Sequence, residues 1–290
     1  MIEINSPTWN HGIGAQLVQV RDVLRQYHQG KDLISLEKLH FCPPLLSLVI
    51  SKMIWDKGLT YFPEVIQSSY LSTIQFPNGI EGTELADFDQ YLASFATKTY
   101  LPIIRFGTGK EPSIATKRNN LISQVGQMIR RISQVDSKFY SGLSYLLSEL
   151  TDNIVDHSDF GHGWLSFQYY PKEGFIDLCI GDSGRGVLES YLRYTGPKDY
   201  SYIQTDQLAI AEMVKGESTK KIEERGFGFH TSRELLLDGM NGHFTFLSGE
   251  ALLLDYKVIP FGTQFPGTIA HLRIPVSGLK PGFSVYDYVE

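Results

Sequence analysis

Along the 290-residue chain, apolar and polar positions alternate as short strands and helices at first, then settle into long helices followed by strands. "DLISLEKLHF" leads into "PPLLSLVISKMIWDKG", a helix that enters on prolines and stops at Gly58. "LTYFPEVI" then reads as a strand and "SSYLSTIQF" as a helix. This βαβα order predicts a small α/β domain over residues 1–105. The polar stretch "FGTGKEPSIATKRNN", residues 106–120, carries glycine and proline punctuation and predicts a linker. Its "GTGK" imitates a phosphate-binding loop, but Ile104 stands where the first glycine belongs and Glu111 where Ser or Thr belongs.

From residue 121 the periods lengthen. Leu121, Ile122, Val125, Met128, Ile129 and Ile132 recur at helical spacing, with Arg118, Arg130 and Arg131 expected to face solvent. After an N-cap at Asp136 or Ser137, a second helix is expected to run to about His157 and to bury Phe139, Leu143, Leu146, Leu147, Leu150 and Ile154. "WLSFQYY", the turn "PKEG" and "FIDLCIGD" predict a β-hairpin. A polar stretch over 187–225 follows, then a glycine pair and the helix "TSRELLLDGM". Three strand candidates, "HFTFLSG", "ALLLDYKVI" and "TIAHLRIP", close the chain. The fold class read from this order is α/β: an α+β two-layer sandwich with helices on one face of a mixed, mostly antiparallel sheet over 121–290, preceded by the smaller α/β domain.

Composition narrows the setting. A hydrophobic content of 42% suits a globular core, and the two cysteines, Cys42 and Cys179, lie too far apart for a metal or redox motif, which points to a reducing compartment. No window approaches the roughly 18 uninterrupted apolar residues of a membrane helix, and the amino terminus lacks the pattern of a secretory leader. A cytoplasmic protein without membrane association is expected. The net charge of −6 argues against a nucleic-acid partner, whose binding would rest on Lys and Arg meeting phosphates.

The stretch "CIGDSGRGVLES", 179–190, admits two chemistries. Gly181-Asp182-Ser183-Gly184 is the setting of a serine nucleophile in one class of secreted proteases, but that class needs a separate His and Asp and a disulfide framework. The alternative makes Asp182 the working residue, a strand-terminal carboxylate followed by Gly184 and Gly186, which allow close backbone approach. An ordinary Asp-Ser-Gly turn would look the same. Upstream, Glu149, Asn153 and His157 fall at i, i+4 and i+8 on one helix face. A carboxylate can take a proton from water and a carboxamide oxygen can ligate a hard cation, although a solvated polar face has the same pattern. Downstream, Gly226 and Gly228 precede a helix, where free amides could meet phosphate, and Thr268 opens the last strand. A metal reading of "HSDFGH" through His157 and His162 lacks further soft ligands.

In order and spacing, these segments resemble the boxes of the GHKL, or Bergerat-fold, ATPases: gyrase, the large heat-shock chaperone, histidine-kinase catalytic domains and MutL. The resemblance covers about residues 115–290. "ELTDNIVDH" looks like the N box, "DSGRG" the first glycine box, "RGFGF" the second, and "PGTIAHLRIP" the closing Gly-Thr strand. It implies ATP and Mg²⁺ as cofactors. Asp182 would accept a hydrogen bond from adenine N6, Gly184 and Gly186 would shape the base pocket, and Asn153 would coordinate Mg²⁺. Glu149 would be the catalytic general base, with His157 and Thr268 beside the nucleotide and Gly226 and Gly228 at the phosphates. Residues 187–225 would be a mobile lid in which Lys215, Lys220, Lys221 and Arg225 could sense the γ-phosphate. Phe227, Phe229 and the His230 that stands where some members have a third glycine depart from the pattern.

None of the eight histidines is followed by Glu or Asp, which excludes the phospho-acceptor motif of an autophosphorylating sensor kinase. "LISLEKLHFCPPLLSLVISKMI" resembles the STAS fold of anti-sigma-factor antagonists, without a Ser or Thr acceptor in the loop Phe41-Cys42-Pro43-Pro44. A regulatory or docking module fused to its ATPase fits this better than a substrate domain, and an unrelated α/β cap is the alternative. Three activities follow: a nucleotide-dependent switch on a protein partner, an anti-sigma-like serine/threonine kinase, or an inert nucleotide-binding module. Retention of both Glu149 and Asn153 favours the first two. A homodimer is left open.

Overall fold

Two sets of apolar side chains alternate along the central strands, and they build two cores on opposite faces of one sheet. In the computed structural model, which describes residues 1–4, 6, 12–62, 68–159, 161–217, 219 and 228–288, β6 (His162–Tyr170) and β7 (Phe175–Asp182) form the expected antiparallel hairpin. Successive strand residues point to opposite faces. Ile176, Leu178 and Ile180 accordingly enter one core, while Cys179 enters the other. Asp177, on the Cys179 side, is fully buried and accepts two hydrogen bonds from Arg273, both 2.7 Å long, which offset the cost of burying its charge.

The sheet has six strands in the order β4-β5-β6-β7-β9-β8, with β4 (Ile80–Glu81), β5 (Ile104–Gly107), β8 (His243–Leu254) and β9 (Lys257–Pro275). Only β4 and β5 pair in parallel. The first core lies between this sheet and a helical layer of α5 (Pro112–Ser133), α6 (Ser137–His157), α7 (Gly186–Leu192), α8 (Asp206–Val214) and α9 (Gly228–Glu234), the last continuing as a π-turn over Leu235–Gly239. This is the expected helix-on-sheet arrangement. Asp136 caps α6 by accepting a hydrogen bond from the Phe139 amide at 2.8 Å, and the anticipated stripe from Phe139 to Ile154 is buried.

The opposite face is covered too. An amino-terminal unit of β1 (Ile2–Glu3), α1 (Ile13–His28), β2 (Leu33–Ser35), α2 (Pro44–Lys57) and β3 (Thr60–Tyr61) forms a small parallel sheet, β1-β2-β3. Its α1 packs on β9, and α2 packs on β6 and β7. With α1 beside it and β6 and β7 beneath it, α2 buries every residue from Pro44 to Met53. Pro44 opens this helix and Gly58, at φ 73°, closes it in the left-handed conformation that favours glycine. A short helix, α3 (Ser69–Thr73), precedes β4, and another, α4 (Phe88–Ala93), lies between β4 and β5.

The structure revises four expectations. The stretch 106–120 is not a linker: β5 ends at Gly107 and α5 starts at Pro112, so the proline marks a helix entrance and the glycines a tight connection. Arg118 does not face solvent but is buried, donating to the carbonyls of Gly107 and Gly109 at 3.1 and 2.9 Å and thereby bracing that connection. The three closing strands are two: β8 runs through Gly249, where the pairing register shifts, and the second candidate, "ALLLDYKVI", spans the turn at Asp255 and Tyr256 that leads into β9. Finally, β4, β5 and the packing residues Phe88, Leu92 and Phe95 belong to the main sheet and its core, although they fall within the first 105 residues. The helix α1 was not foreseen at all. Among the described residues, no helix is long and apolar enough to cross a membrane.

Candidate functional site

The alternation that sorts the cores also aims the site. Asp182 lies two residues beyond Ile180 on β7, so its side chain points toward the helical layer. Thr268 faces it across the β7–β9 ladder. Together with α6, α7 and α9, these strands enclose a cleft of about 870 Å³, counting its open mouth. Leu150, Ile154, Ile180, Val187 and Phe246 supply apolar walls, and Asn153, His157, Asp182 and Thr268 supply convergent polar groups.

Asp182 is the most constrained of these. Only 2% of it is exposed; one carboxylate oxygen accepts from the Gly184 amide at 2.7 Å and the other from the Thr268 hydroxyl. Burial pushes its carboxyl above the usual range, while Lys52, the Thr268 hydroxyl and the Gly184 amide pull it down. The carboxylate is thus fixed in orientation, with acceptor capacity left for a ligand. Gly184 permits this turn because a β-carbon there would lie 1.9 Å from the Ser158 carbonyl at the end of α6. Gly184→Ala is therefore expected to lower the unfolding free energy by about 2–3 kcal/mol, read from the urea midpoint. Gly186, at φ 77°, starts α7, and the next amide, Val187, donates to Ser248 at 2.9 Å.

At the other end of the cleft, Asn153 projects from α6 beside Gly228. Its Nδ2 atom is buried without a hydrogen-bond partner among the described residues. An orphaned NH₂ donor in a polar cleft fits a seat for an acceptor oxygen of a ligand. Glu149, one turn earlier, lies against the start of α9, where a β-carbon on Gly228 would fall 1.8 Å from its Oε2. A β-carbon there would displace the Glu149 carboxylate. Burial and the Glu149 carboxylate push the nearby Tyr145 hydroxyl up to about 12.

Of the residues singled out in the sequence, Asn153, His157, Asp182, Gly186, Gly228 and Thr268 line one cleft. Gly184 holds the turn behind it, and Glu149 adjoins it at Gly228. Arg225, Gly226, Lys220, Lys221 and Phe227 lie outside the described residues. Lys215 is spent on an ion pair with Glu212, 2.7 Å away. The aromatic departure at Phe229 is structural, since the ring packs edge-on against Phe244 and Phe246. His230 hydrogen-bonds the Val214 carbonyl at 2.9 Å and so ties α9 to α8.

The expected mobile lid is largely built into the fold. Residues 186–217 contain α7 and α8 and bury Tyr191, Tyr200, Ile203 and Ile210 in the core. Glu217 fastens the segment: its carbonyl accepts from the Tyr191 hydroxyl at 2.5 Å, and its carboxylate from Lys198 and Tyr200 at 2.8 and 3.0 Å. Glu217 lines the cleft and was missed in the sequence, where it is one acid among polar residues. Phe246 and Ala270 could have been found, because they share the facing parity of Thr268 on paired strands.

Ser183 is no nucleophile. It is 3% exposed, and its hydroxyl donates to Asp56 of α2 at 2.5 Å. His162 also contacts Asp56, at 2.9 Å, so the acid lies between serine and histidine, whereas a nucleophile triad needs the histidine in the middle. Among the described residues, no cluster of three or more His, Cys, Asp or Glu side chains could hold a metal. Cys42 and Cys179 are free, buried thiols.

Comparison with known proteins agrees with this geometry. No curated protein and no solved structure matches the chain. The family model described as histidine kinase-, DNA gyrase B- and HSP90-like ATPase matches residues 140–278, the span from α6 through β9 that builds the cleft. With the buried acid, the orphaned amide and the glycine turns in that span, residues 140–278 belong to the GHKL family of ATP-binding domains.

Proposed function

We propose that the protein is an Mg·ATP-dependent switch acting on a protein partner, with slow hydrolysis resetting it. The observation that carries this reading is Asp182: a buried, oriented acceptor at the end of an apolar cleft suits the N6 amino group of adenine and disfavours guanine, which presents an oxygen at that position. Asn153 would hold Mg²⁺ through its amide oxygen, and the cation, when bound, would neutralise phosphate charge. Glu149 would accept a proton from the attacking water at its carboxylate. The phosphates would lie toward Gly228, at the start of α9.

The switch itself is attributed to residues 186–217. This segment lines the cleft from Gly186 and Val187 to Glu217, and the side-chain contacts of Glu217 fasten it. A nucleotide that touches Glu217 would bias those contacts and so alter the outer surface of α7 and α8. The amino-terminal unit, on the far side of the sheet, is the regulatory or docking module in this reading. Hydrogen exchange with and without Mg·ATP, with the γ-phosphate followed in the same sample, tests it. Protection over 186–217 and release of free phosphate are expected. An unchanged exchange pattern there contradicts the switch, and label recovered on a protein hydroxyl replaces it with a kinase.

A further inference from the structure

The amino-terminal unit does more than cover a sheet face. One helix, α2, reaches three side chains to the back of the turn that carries Asp182. Lys52, 1% exposed, donates from Nζ to the main-chain carbonyl of Asp182 and, at 3.1 Å, to that of Thr268. Those two residues pair across β7 and β9, and both aim their side chains into the cleft. Asp56, one turn further along, accepts from the Ser183 hydroxyl at 2.5 Å and the Trp164 indole at 3.1 Å. Lys57 reaches the Ser183 carbonyl at 3.3 Å.

A lysine in such a place is costly. An ammonium loses its hydration when buried, and here burial lowers the Lys52 amine to about 8, with Asp182 and Asp56 opposing that fall. Apolar packing would not need it, since a methionine fills a similar volume. What the ammonium supplies is two hydrogen bonds to the strand ends and a positive charge on the opposite side of the strand from the Asp182 carboxylate, where a low dielectric strengthens its effect. Its ring contact with Phe265, 4.6 Å from the centroid, fixes its approach.

We propose that Lys52 is a positioning residue for nucleotide recognition, fixing the main chain of Asp182 and Thr268 and lending positive charge to the Asp182 carboxylate, so that the amino-terminal unit completes the adenine pocket from behind. This rests on the reading of Asp182 as the adenine acceptor. The ionisable groups around the pair are Asp56 and Lys57 on α2, Cys179 on β7 and, lining the cleft, His157 of α6, Tyr191 of α7 and Glu217. Thr268 of β9 and the Gly184 amide add the remaining hydrogen bonds to the carboxylate.

The test is the Mg·ATP dissociation constant of the full chain, for parent and Lys52→Met, from about pH 5 to pH 8. Binding is lost as pH falls and Asp182 takes a proton. Removal of Lys52 lets the carboxyl rise further, so the loss is expected to move to higher pH by about one unit, with binding near neutrality about tenfold weaker. A folded variant with the parent's affinity and pH profile overturns the inference, as does a uniform weakening with no displacement along the pH axis. A parent that does not bind ATP removes the underlying reading instead. Should Lys52→Met not fold, hydrogen exchange on the parent decides: protection of α2 amides around Lys52 on adding Mg·ATP is expected, and protection confined to the cleft overturns it.

Discussion

Asp182→Asn is expected to weaken Mg·ATP binding by about 100-fold or more while leaving the protein folded. The asparagine oxygen can still accept from the Gly184 amide, and the Thr268 hydroxyl can rotate to accept from the new NH₂ group. The local turn therefore survives. The adenine amino group, however, would then meet a donor where it met a charged acceptor. A hydrogen bond to a charged group contributes about 1.5–3 kcal/mol, and a buried donor left unpaired adds a penalty of similar size. Each 1.4 kcal/mol is about tenfold in affinity. Calorimetric titration of the variant, with circular dichroism to confirm its fold, checks the result.

Glu149→Gln is expected to separate binding from turnover. Glutamine keeps the shape of the side chain against Gly228, so nucleotide affinity should stay within a few-fold of the parent. The amide cannot take a proton from water. General-base catalysis contributes about 100- to 10,000-fold, and phosphate release should fall by that factor. Single-turnover phosphate release at saturating Mg·ATP measures it. Equal rates for parent and variant would remove Glu149 from the chemistry.

The parts of this site that lie within one element were legible in the sequence. The stripe of α6, its Asp136 cap, and the Glu149-Asn153-His157 face follow from helical spacing alone. The hairpin that delivers Asp182 follows from two apolar runs around a turn. What failed were features that depend on what packs across the sheet. Arg118 looks like a solvated charge until the carbonyls of Gly107 and Gly109 are placed beside it. The stretch 187–217 looks polar, yet its tyrosines pack together, with the Tyr191 and Tyr200 rings edge to face and their centroids 5.0 Å apart, and Tyr191, Tyr200, Ile203 and Ile210 are buried in the core.

The clearest case is α2. Its sequence shows a helix that starts at prolines and stops at Gly58, and gives no sign of what Lys52, Asp56 and Lys57 meet. Only the register of β7 against β9 puts Asp182 and Thr268 at the position where those side chains arrive. A local pattern cannot carry that information, because the contact between Lys52 and Asp182 spans 130 residues of chain. The amino-terminal unit and the span that matches the ATPase family are thus one physical object behind the cleft.

The most direct test of the central claim is a calorimetric titration of the unmodified full chain with Mg·ATP and, in parallel, with Mg·GTP near neutral pH. Binding at a single site, with ATP at least about tenfold tighter than GTP, is predicted from the buried acceptor at Asp182. No binding of ATP, or equal affinity for the two nucleotides, would contradict it.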